Sequence, residues 1–157
     1  MRREEKEIRE IDQISKVIKK CQVCRLGLSQ DNLPYIVPLS FGYDGATIYF
    51  HTAKNGRKIE ILSVNNNVCF EFESGVEIIQ DKASPCNWSF SFQSVIGFGT
   101  AKELSSHTEK IKGLTEIMSQ YSNKKWILEN MSLDNLRVWA INIKSMTGKQ
   151  SLDHVKR

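Results

Sequence analysis

The residues best suited to chemistry lie in the stretch YFHTAKNGRK, residues 49–58. An apolar segment ends at His51 and Thr52, and Arg57 and Lys58 follow directly after a glycine. Proteins bind phosphate oxygens with hydroxyl groups, with the forked guanidinium of arginine and with the compact ammonium of lysine. The residue types and their spacing therefore favour an anion site, and a phosphate in particular.

A short helix is predicted to begin within this stretch, with Asn55 as its N-cap and residues 56–58 as its first turn. The free N–H groups and the positive dipole end of a helix amino terminus would add to the attraction for an anion. The glycine-rich phosphate loop GxxxxGK[ST] does not occur in the chain. A basic first turn that is merely solvated is the alternative interpretation.

His51 is the candidate catalytic residue. Its unperturbed pKa lies near neutrality, so it could donate a proton or contact a substrate beside a ligand held at Thr52. A histidine at the end of a strand can equally be a structural residue that is satisfied by a hydrogen bond. Both hypotheses stay open.

Hydrophobic periodicity predicts three helices and six strands around these residues. Ile14, Val17, Ile18 and Cys21 form one apolar stripe on the first helix, for which Asp12 is the expected cap. The strands are expected at residues 23–28, 33–43, 47–51, 68–73, 90–101 and 136–143.

Two further helices are predicted. The short helix after Gly56 should bury Ile59 and Leu62 and should end at the asparagine run 65–67. The last helix follows the capping-box pair Ser106 and Glu109.

The connections between the strands indicate an antiparallel sheet. Asp44-Gly45 is a strong hairpin signal, since both positions tolerate a positive φ. Pro34 and Pro38 cannot donate to a strand ladder, so their strand should lie at an edge or beside an opening. Residues 74–89 show no clear period and are expected to form a long, partly irregular connection. A mainly β (α+β) fold with few helices tends to close into a barrel.

Length and composition predict one domain, residues 1–157, with a helical arm at 1–21 and a tail at 150–157. The net charge of +4 is mild and interspersed, so no nucleic-acid partner is expected. No apolar run is long enough to span a membrane, and the amino terminus lacks the apolar core of a signal peptide. We therefore expect a cytoplasmic protein without a membrane partner.

The four cysteines are Cys21, Cys24, Cys69 and Cys86. The first two have the spacing of a zinc half-site or a redox pair. No second pair at matching spacing completes a zinc site, and the pair falls where a helix ends, whereas a reactive thiol pair should open a helix. Small buried or half-buried apolar side chains are the simpler interpretation, and we predict no metal site.

A family resemblance is carried by four segments: YIVPLSFGYDGATIYFHTAKNGRKIEIL, NNNVCFEF, SFQSVIGFGTA and VWAINIKSMTGK. Together they resemble the pyridoxamine-phosphate-oxidase-like flavin-binding split barrel, and within that superfamily the nitroimidazole-resistance branch. The resemblance covers the chain from about Met1 to Lys149. It implies an antiparallel six-stranded split β-barrel with a few flanking helices, and FMN held at the interface of a homodimer.

The resemblance also implies which positions contact the cofactor. Those matching Arg57 and Lys58 would bind its phosphate, the strand at Pro38 would line its ring, and the carboxy-terminal strand would approach it, often from the partner subunit. The full implied set is Pro38, Leu39, Ser40, His51, Thr52, Arg57, Lys58, Gln93, Ser94, Val95, Trp139 and Lys149.

One departure from the family bears on the substrate. Pyridoxamine-phosphate oxidases proper carry an arginine-rich substrate-binding tail, whereas Arg157 is the only arginine after Lys149 in this chain. We therefore do not expect vitamin-phosphate oxidation.

The resulting hypothesis is an FMN-dependent oxidoreductase that reduces a small aromatic or nitro compound. The absence of any recognisable triad or carboxylate pair fits chemistry supplied by a flavin. The chain contains no GxGxxG fingerprint, so the sequence does not identify the electron donor. The alternative is a non-enzymatic flavin- or haem-binding carrier, electron-transfer partner or sensor, with His51, His107 and His154 as candidate haem ligands.

Overall fold

Eight strands form one antiparallel sheet in the computed structural model, which describes residues 4–151. The strands are β1 (Glu7–Ile8), β2 (Cys24–Gln30), β3 (Leu33–Leu39), β4 (Gly42–Tyr43), β5 (Thr47–Thr52), β6 (Asn67–Ile79), β7 (Ser89–Glu103) and β8 (Arg137–Ser151). The helices are α1 (Ile11–Lys20), α2 (Arg57–Val64) and α3 (His107–Tyr121), with 3-10 turns at Glu4–Lys6 and Pro85–Asn87. Five of the six predicted strands are present as single strands, and the two-residue β1 is additional. The single strand predicted at 33–43 is wrong: it is divided into β3 and β4, because the backbone N–H of Phe41 donates to the Tyr121 hydroxyl and not to a strand ladder. The predicted mainly β fold is confirmed.

The sheet curls so that one end of β3 lies close to one end of β4. Its strand order is β3-β2-β6-β7-β8-β5-β4, with β1 paired to β8, so β3 and β4 lie at opposite ends. Only Ser40 and Phe41 separate Leu39 from Gly42, a distance of roughly 11 Å at most for an extended chain. No ladder joins β3 to β4 in the described part of the chain, so the barrel stays split there. The prolines of β3 thus lie at an edge, as predicted.

Two hydrophobic cores hold the sheet. The inner core contains the fully buried Phe41, Phe50, Phe70 and Phe72 and takes in the apolar stripe of α1, as predicted. In the second core α3 covers the outer faces of β5 and β8, and the buried residues are Tyr49, Leu104, Leu114, Ile117, Leu128, Val138 and Ala140. None of the helices in residues 4–151 is long and apolar enough to cross a membrane.

Two local signals are confirmed. The Asp44 carboxylate accepts hydrogen bonds from the N–H groups of Ala46 and Thr47 at 3.0 and 2.8 Å, and Gly45 has a φ of 102°. At α3 the hydroxyl of Ser106 accepts from the Glu109 N–H while the Glu109 carboxylate accepts from the Ser106 N–H.

The predicted caps of the other two helices are wrong. α1 begins at Ile11 after Glu10, and Asp12 lies inside its first turn. α2 begins at Arg57, and its N-cap is Gly56 rather than Asn55. Gly56 has a φ of 135°, a conformation that glycine adopts without steric cost, so the backbone itself turns into the helix at this residue.

Two strands, β6 and β8, are much longer than predicted. β6 runs through a bulge between Ser74 and Glu77 to Ile79, so the irregular connection shrinks from 74–89 to residues 80–88. β8 continues to Ser151 and contains Gly148, which was expected beyond the strand. The first two residues of the predicted tail at 150–157 therefore belong to β8, and residues 152–157, with His154 and Arg157, lie outside the described part of the chain.

Candidate functional site

The candidate anion site lies where β5 ends and α2 begins. Thr52 is the last residue of β5, and residues 53–56 connect it to Arg57 at the start of α2. The adjacent strand β8 pairs Arg137 with Thr52 and Trp139 with Phe50. Cross-strand partners share one face of a sheet, so these four side chains lie on the same side of the junction.

Thr52 is buried at this junction, with an exposed fraction of only 6%. The indole Nε1 of Trp139 donates to its hydroxyl oxygen at 3.3 Å, and the Trp139 ring stacks on Phe50 with centroids 6.0 Å apart. Because the Thr52 oxygen is here an acceptor, its own O–H remains available to a ligand oxygen.

Lys58 is a half-buried cation without a carboxylate partner among the described residues. Its Nζ lies 5.8 Å from the centroid of the Phe50 ring, and burial lowers its pKa. Arg57 is exposed, and its Nη1 lies 3.4 Å from Glu60 Oε2 in the next turn of α2. The junction therefore offers a hydroxyl, an ammonium and a guanidinium, a donor set that suits phosphate oxygens.

His51 points to the other side of the sheet. It pairs with Val138, whose side chain lies in the core under α3, whereas Thr52 faces the barrel interior. Its side chain is exposed, yet partial desolvation and the charge of Lys58 lower its pKa, which favours the neutral imidazole. The structure thus places His51 near Lys58 but not on the same face as Thr52.

A second group of predicted site residues lies at the far end of β7 and β8. Ser94 pairs directly with Lys149, and the side-chain amide of Gln93 donates to that of Gln150 at 3.2 Å. Val95 is fully buried, so only its backbone could contact a ligand.

The third group lies at the split edge of the barrel. Pro38 is exposed and pairs with Arg25, Leu39 is partly buried, and Ser40 is exposed between β3 and β4. These three residues are therefore separate from the junction and from the pair formed by Ser94 and Lys149.

One subunit does not bring the first two groups together. Trp139 and Lys149 are separated by ten positions on β8, on the order of 30 Å of extended strand. Thr52 faces the barrel interior, whereas Ser94 and Lys149 lie on the outside of the sheet.

That outside surface, which we term the outer sheet face, crosses five strands. One cross-strand row is Pro38, Arg25, Glu71, Ile96 and Thr147, and the next is Ile36, Gly27, Cys69, Phe98 and Ser145. Ile36, Ile96 and Phe98 are 69%, 46% and 56% exposed. In the described part of the chain no helix covers this face, unlike the outer faces of β5 and β8.

Among residues 4–151, neither the cysteines nor His107 offers an alternative centre. Cys21 and Cys24 are buried, Cys21 Sγ donates to the Val17 carbonyl at 3.2 Å, and burial raises the pKa of Cys24. Cys86 is exposed, and His107 Nε2 lies 2.9 Å from the carbonyl oxygen of Glu129. Within residues 4–151 no cluster of His, Cys, Asp and Glu could hold a metal ion.

Sequence reasoning missed two charged residues beside the junction. Glu103 accepts from Arg137 Nε at 2.9 Å and also contacts Nη2 of the same guanidinium. Arg137 and Trp139 are two positions apart on one strand, so their side chains share a face of the sheet. This spacing points to the junction only once β8 is known to pair with β5.

An open antiparallel barrel with a basic strand-to-helix junction defines a protein of the split-barrel class. A family model described as pyridoxamine 5'-phosphate oxidase matches residues 10–150, so the chain belongs to that family, as the four segments predicted.

Solved structures agree with this assignment. A candidate 5-nitroimidazole antibiotic resistance protein from Bacteroides thetaiotaomicron is 30% identical, with 92% of this chain and 86% of that chain covered and a TM-score of 0.81. The flavocytochrome Anf3 from Azotobacter vinelandii (17% identity, 92% and 69% covered, TM-score 0.78) shares the fold. So does an FAD- and haem-binding protein from Mycobacterium smegmatis (15% identity, 94% and 74% covered, TM-score 0.75). No curated protein matches the chain.

Proposed function

We propose that this protein is an FMN-binding oxidoreductase that works as a cytoplasmic homodimer and reduces a small aromatic or nitro compound. The observation that carries the proposal is Lys58, a half-buried cation without a carboxylate partner in residues 4–151, whose Nζ lies 5.8 Å from the centroid of the Phe50 ring at the junction between β5 and α2. Membership of the pyridoxamine 5'-phosphate oxidase family supports a flavin as the anion, and the likeness to the Bacteroides protein supports a nitroaromatic substrate.

The phosphate of FMN would lie against Thr52, Arg57 and Lys58. Partial burial costs Lys58 hydration, and a phosphate beside it would restore the lost electrostatic stabilisation. The Thr52 oxygen accepts from Trp139, and its own O–H would donate to a phosphate oxygen. FMN, when bound, supplies the two-electron redox chemistry, while the chain binds, orients and shields it. His51 would contact the substrate or hold a proton for it.

The outer sheet face would form the homodimer interface. Exposed apolar residues on an uncovered sheet face typically mark a protein contact. Pro38, Ser94 and Lys149 all lie on this face. In a homodimer the partner subunit would bring its Ser94 and Lys149 to the flavin, so two subunits would complete one site.

The alternative is a carrier or sensor that binds flavin or haem without turnover. Two proteins of the same fold are named for flavocytochrome or for FAD and haem binding. Absorption separates the cases: a flavin band that reductant bleaches and a nitroaromatic restores supports the oxidoreductase, whereas a Soret band contradicts it.

The double variant Arg57→Ala/Lys58→Ala tests the phosphate site. We expect it to lose FMN while circular dichroism and dimer mass stay unchanged, because both side chains project from the first turn of α2. Lys124→Ala/Lys125→Ala removes the same charge from an exposed segment and should retain FMN. Full flavin occupancy in the first variant would overturn the assignment.

A further inference from the structure

Arg137 makes three kinds of contact around the junction between β5 and α2. Its Nε and Nη2 bind the Glu103 carboxylate as a fork. Its Nη1 donates to the carbonyl oxygen of Lys54 at 3.3 Å. Its guanidinium carbon lies 5.1 Å from the centroid of the Trp139 ring. One side chain therefore links β7, β8 and the segment that precedes α2.

The contact with Lys54 is important because residues 53–55 have few others. Within residues 4–151, no main-chain to main-chain hydrogen bond outside the strands and helices involves these residues, and Arg137 is the side chain that bonds to their backbone. These residues connect Thr52 to the first turn of α2, which carries Arg57 and Lys58. Loss of the Arg137 contact would free the segment without removing any phosphate donor.

A second route leads from Arg137 to Thr52. Arg137 packs on the ring of Trp139, and Trp139 donates to the Thr52 oxygen. Glu103 fixes the guanidinium plane, because a bidentate pair restricts both the position and the orientation of an arginine. One route ends at the segment that precedes α2, and the other ends at the hydroxyl of Thr52.

We infer that Arg137, held by Glu103, is a positioning residue that sets the geometry of the phosphate site through Lys54 and through Trp139. It does not touch the ligand in this role. The inference rests on the proposed function, since the ligand whose binding it tunes is the flavin phosphate. Such a residue should affect ligands that carry the phosphate and spare those that lack it.

The test compares the affinities for FMN and riboflavin, measured by fluorescence titration of the flavin-free protein. In Arg137→Gln we expect FMN affinity to fall about tenfold, the loss typical of one hydrogen bond with a charged partner. Riboflavin affinity should stay unchanged because riboflavin has no phosphate. Arg137→Lys keeps the positive charge over Trp139 but cannot bind Glu103 through two nitrogens. It serves as a second variant in case Arg137→Gln does not fold, and it should also lose the preference for FMN.

Lys112→Gln is the matched control. Lys112 also pairs with a carboxylate, Asp44 at 3.5 Å, and lies over an aromatic ring, Tyr49 at 5.7 Å, but it projects from α3 away from the junction. This variant should keep the full preference for FMN.

The outcomes separate the two proposals. If the unaltered protein binds FMN no better than riboflavin, the phosphate site is wrong, and the role of Arg137 is wrong with it. If the unaltered protein prefers FMN and both Arg137 variants keep that preference, only the positioning role is overturned. Equal weakening of both flavins would also overturn it, because it would show a merely structural effect.

Discussion

Lys58 illustrates how one side chain can favour ligand binding at the expense of the empty protein. An ammonium that loses water without gaining a carboxylate destabilises the fold, and the lowered pKa of Lys58 expresses that cost. An anion beside it offsets the cost only in the bound state. In the proposed complex Lys58 would therefore favour the bound state over the apoprotein.

Thermal unfolding of Lys58→Met should separate the effect of Lys58 on the stability of the apoprotein from its effect on ligand binding. The substitution keeps most of the side-chain length and removes the charge, so the apoprotein should melt no lower than the unaltered one. FMN at a hundredfold excess over its Kd should stabilise the unaltered protein by about 2.7 kcal/mol. That stabilisation should be largely lost in the variant. A lower melting temperature of the apo variant would contradict the argument, and Lys124→Met serves as an exposed control.

His51 predicts a pH dependence of stability. Desolvation and the charge of Lys58 lower its pKa in the folded state, so the unfolded chain binds a proton first as the pH falls. The stability linked to His51 is therefore complete above the unfolded pKa of about 6.5 and declines as the pH falls below it. His51→Asn should flatten the loss of stability between pH 7 and pH 5 in urea titrations. An unchanged pH profile would show that His51 is not perturbed.

At the scale of elements, sequence periodicity predicts what is locally determined. Val68, Phe70 and Phe72 alternate into the core, and the capping box at Ser106 begins α3. The end of β6 could not be predicted, because its residues after the bulge at Ser74 are mostly exposed and show no alternation. Strand pairing across the fold extends β6 and β8, and a single sequence does not reveal that register.

The same distinction between local and long-range information applies to the candidate site. The donors of the junction are adjacent in sequence, so residue types alone favour an anion site at Thr52 and Lys58. The link from Arg137 to Thr52 depends on the pairing of β5 with β8, which joins distant parts of the chain. The wrong cap at Asn55 has a local cause: Gly56 makes the turn with its backbone, so no side-chain cap is required.

Gly97 in β7 tests how closely the inner core is packed. A Cβ at this position would lie 2.2 Å from a ring carbon of Phe70 and 2.8 Å from the carbonyl oxygen of Ser145. Gly97→Ala should lower the free energy of unfolding by about 1–3 kcal/mol, as overpacking does in other cores. Gly27→Ala in β2, where the nearest atom is 3.5 Å away, should cost much less. Equal midpoints in denaturant would contradict this view of the core.

At the scale of the whole molecule, the distribution of the helices supports the proposal that a second subunit completes the site. α3 covers β5 and β8 on the outside, while the outer sheet face keeps Ile36, Ile96 and Phe98 in contact with water. The same face carries Lys149, which lies ten positions along β8 from Trp139, and Ser94, its partner on β7. Burial of the apolar residues and completion of the site would thus follow from one association.

Phe98→Glu should separate association from folding. Phe98 is 56% exposed in one subunit, so a carboxylate there is solvated in the monomer but would be desolvated in the proposed interface. We expect light scattering to show a monomer with an unchanged far-ultraviolet spectrum and little bound FMN, since the partner's Ser94 and Lys149 would be missing. Ile127→Glu, at a position 84% exposed outside the outer sheet face, should remain dimeric and retain FMN. A Phe98→Glu protein that is still dimeric would place the interface elsewhere, and a monomer that keeps its FMN would show that one subunit holds the whole site.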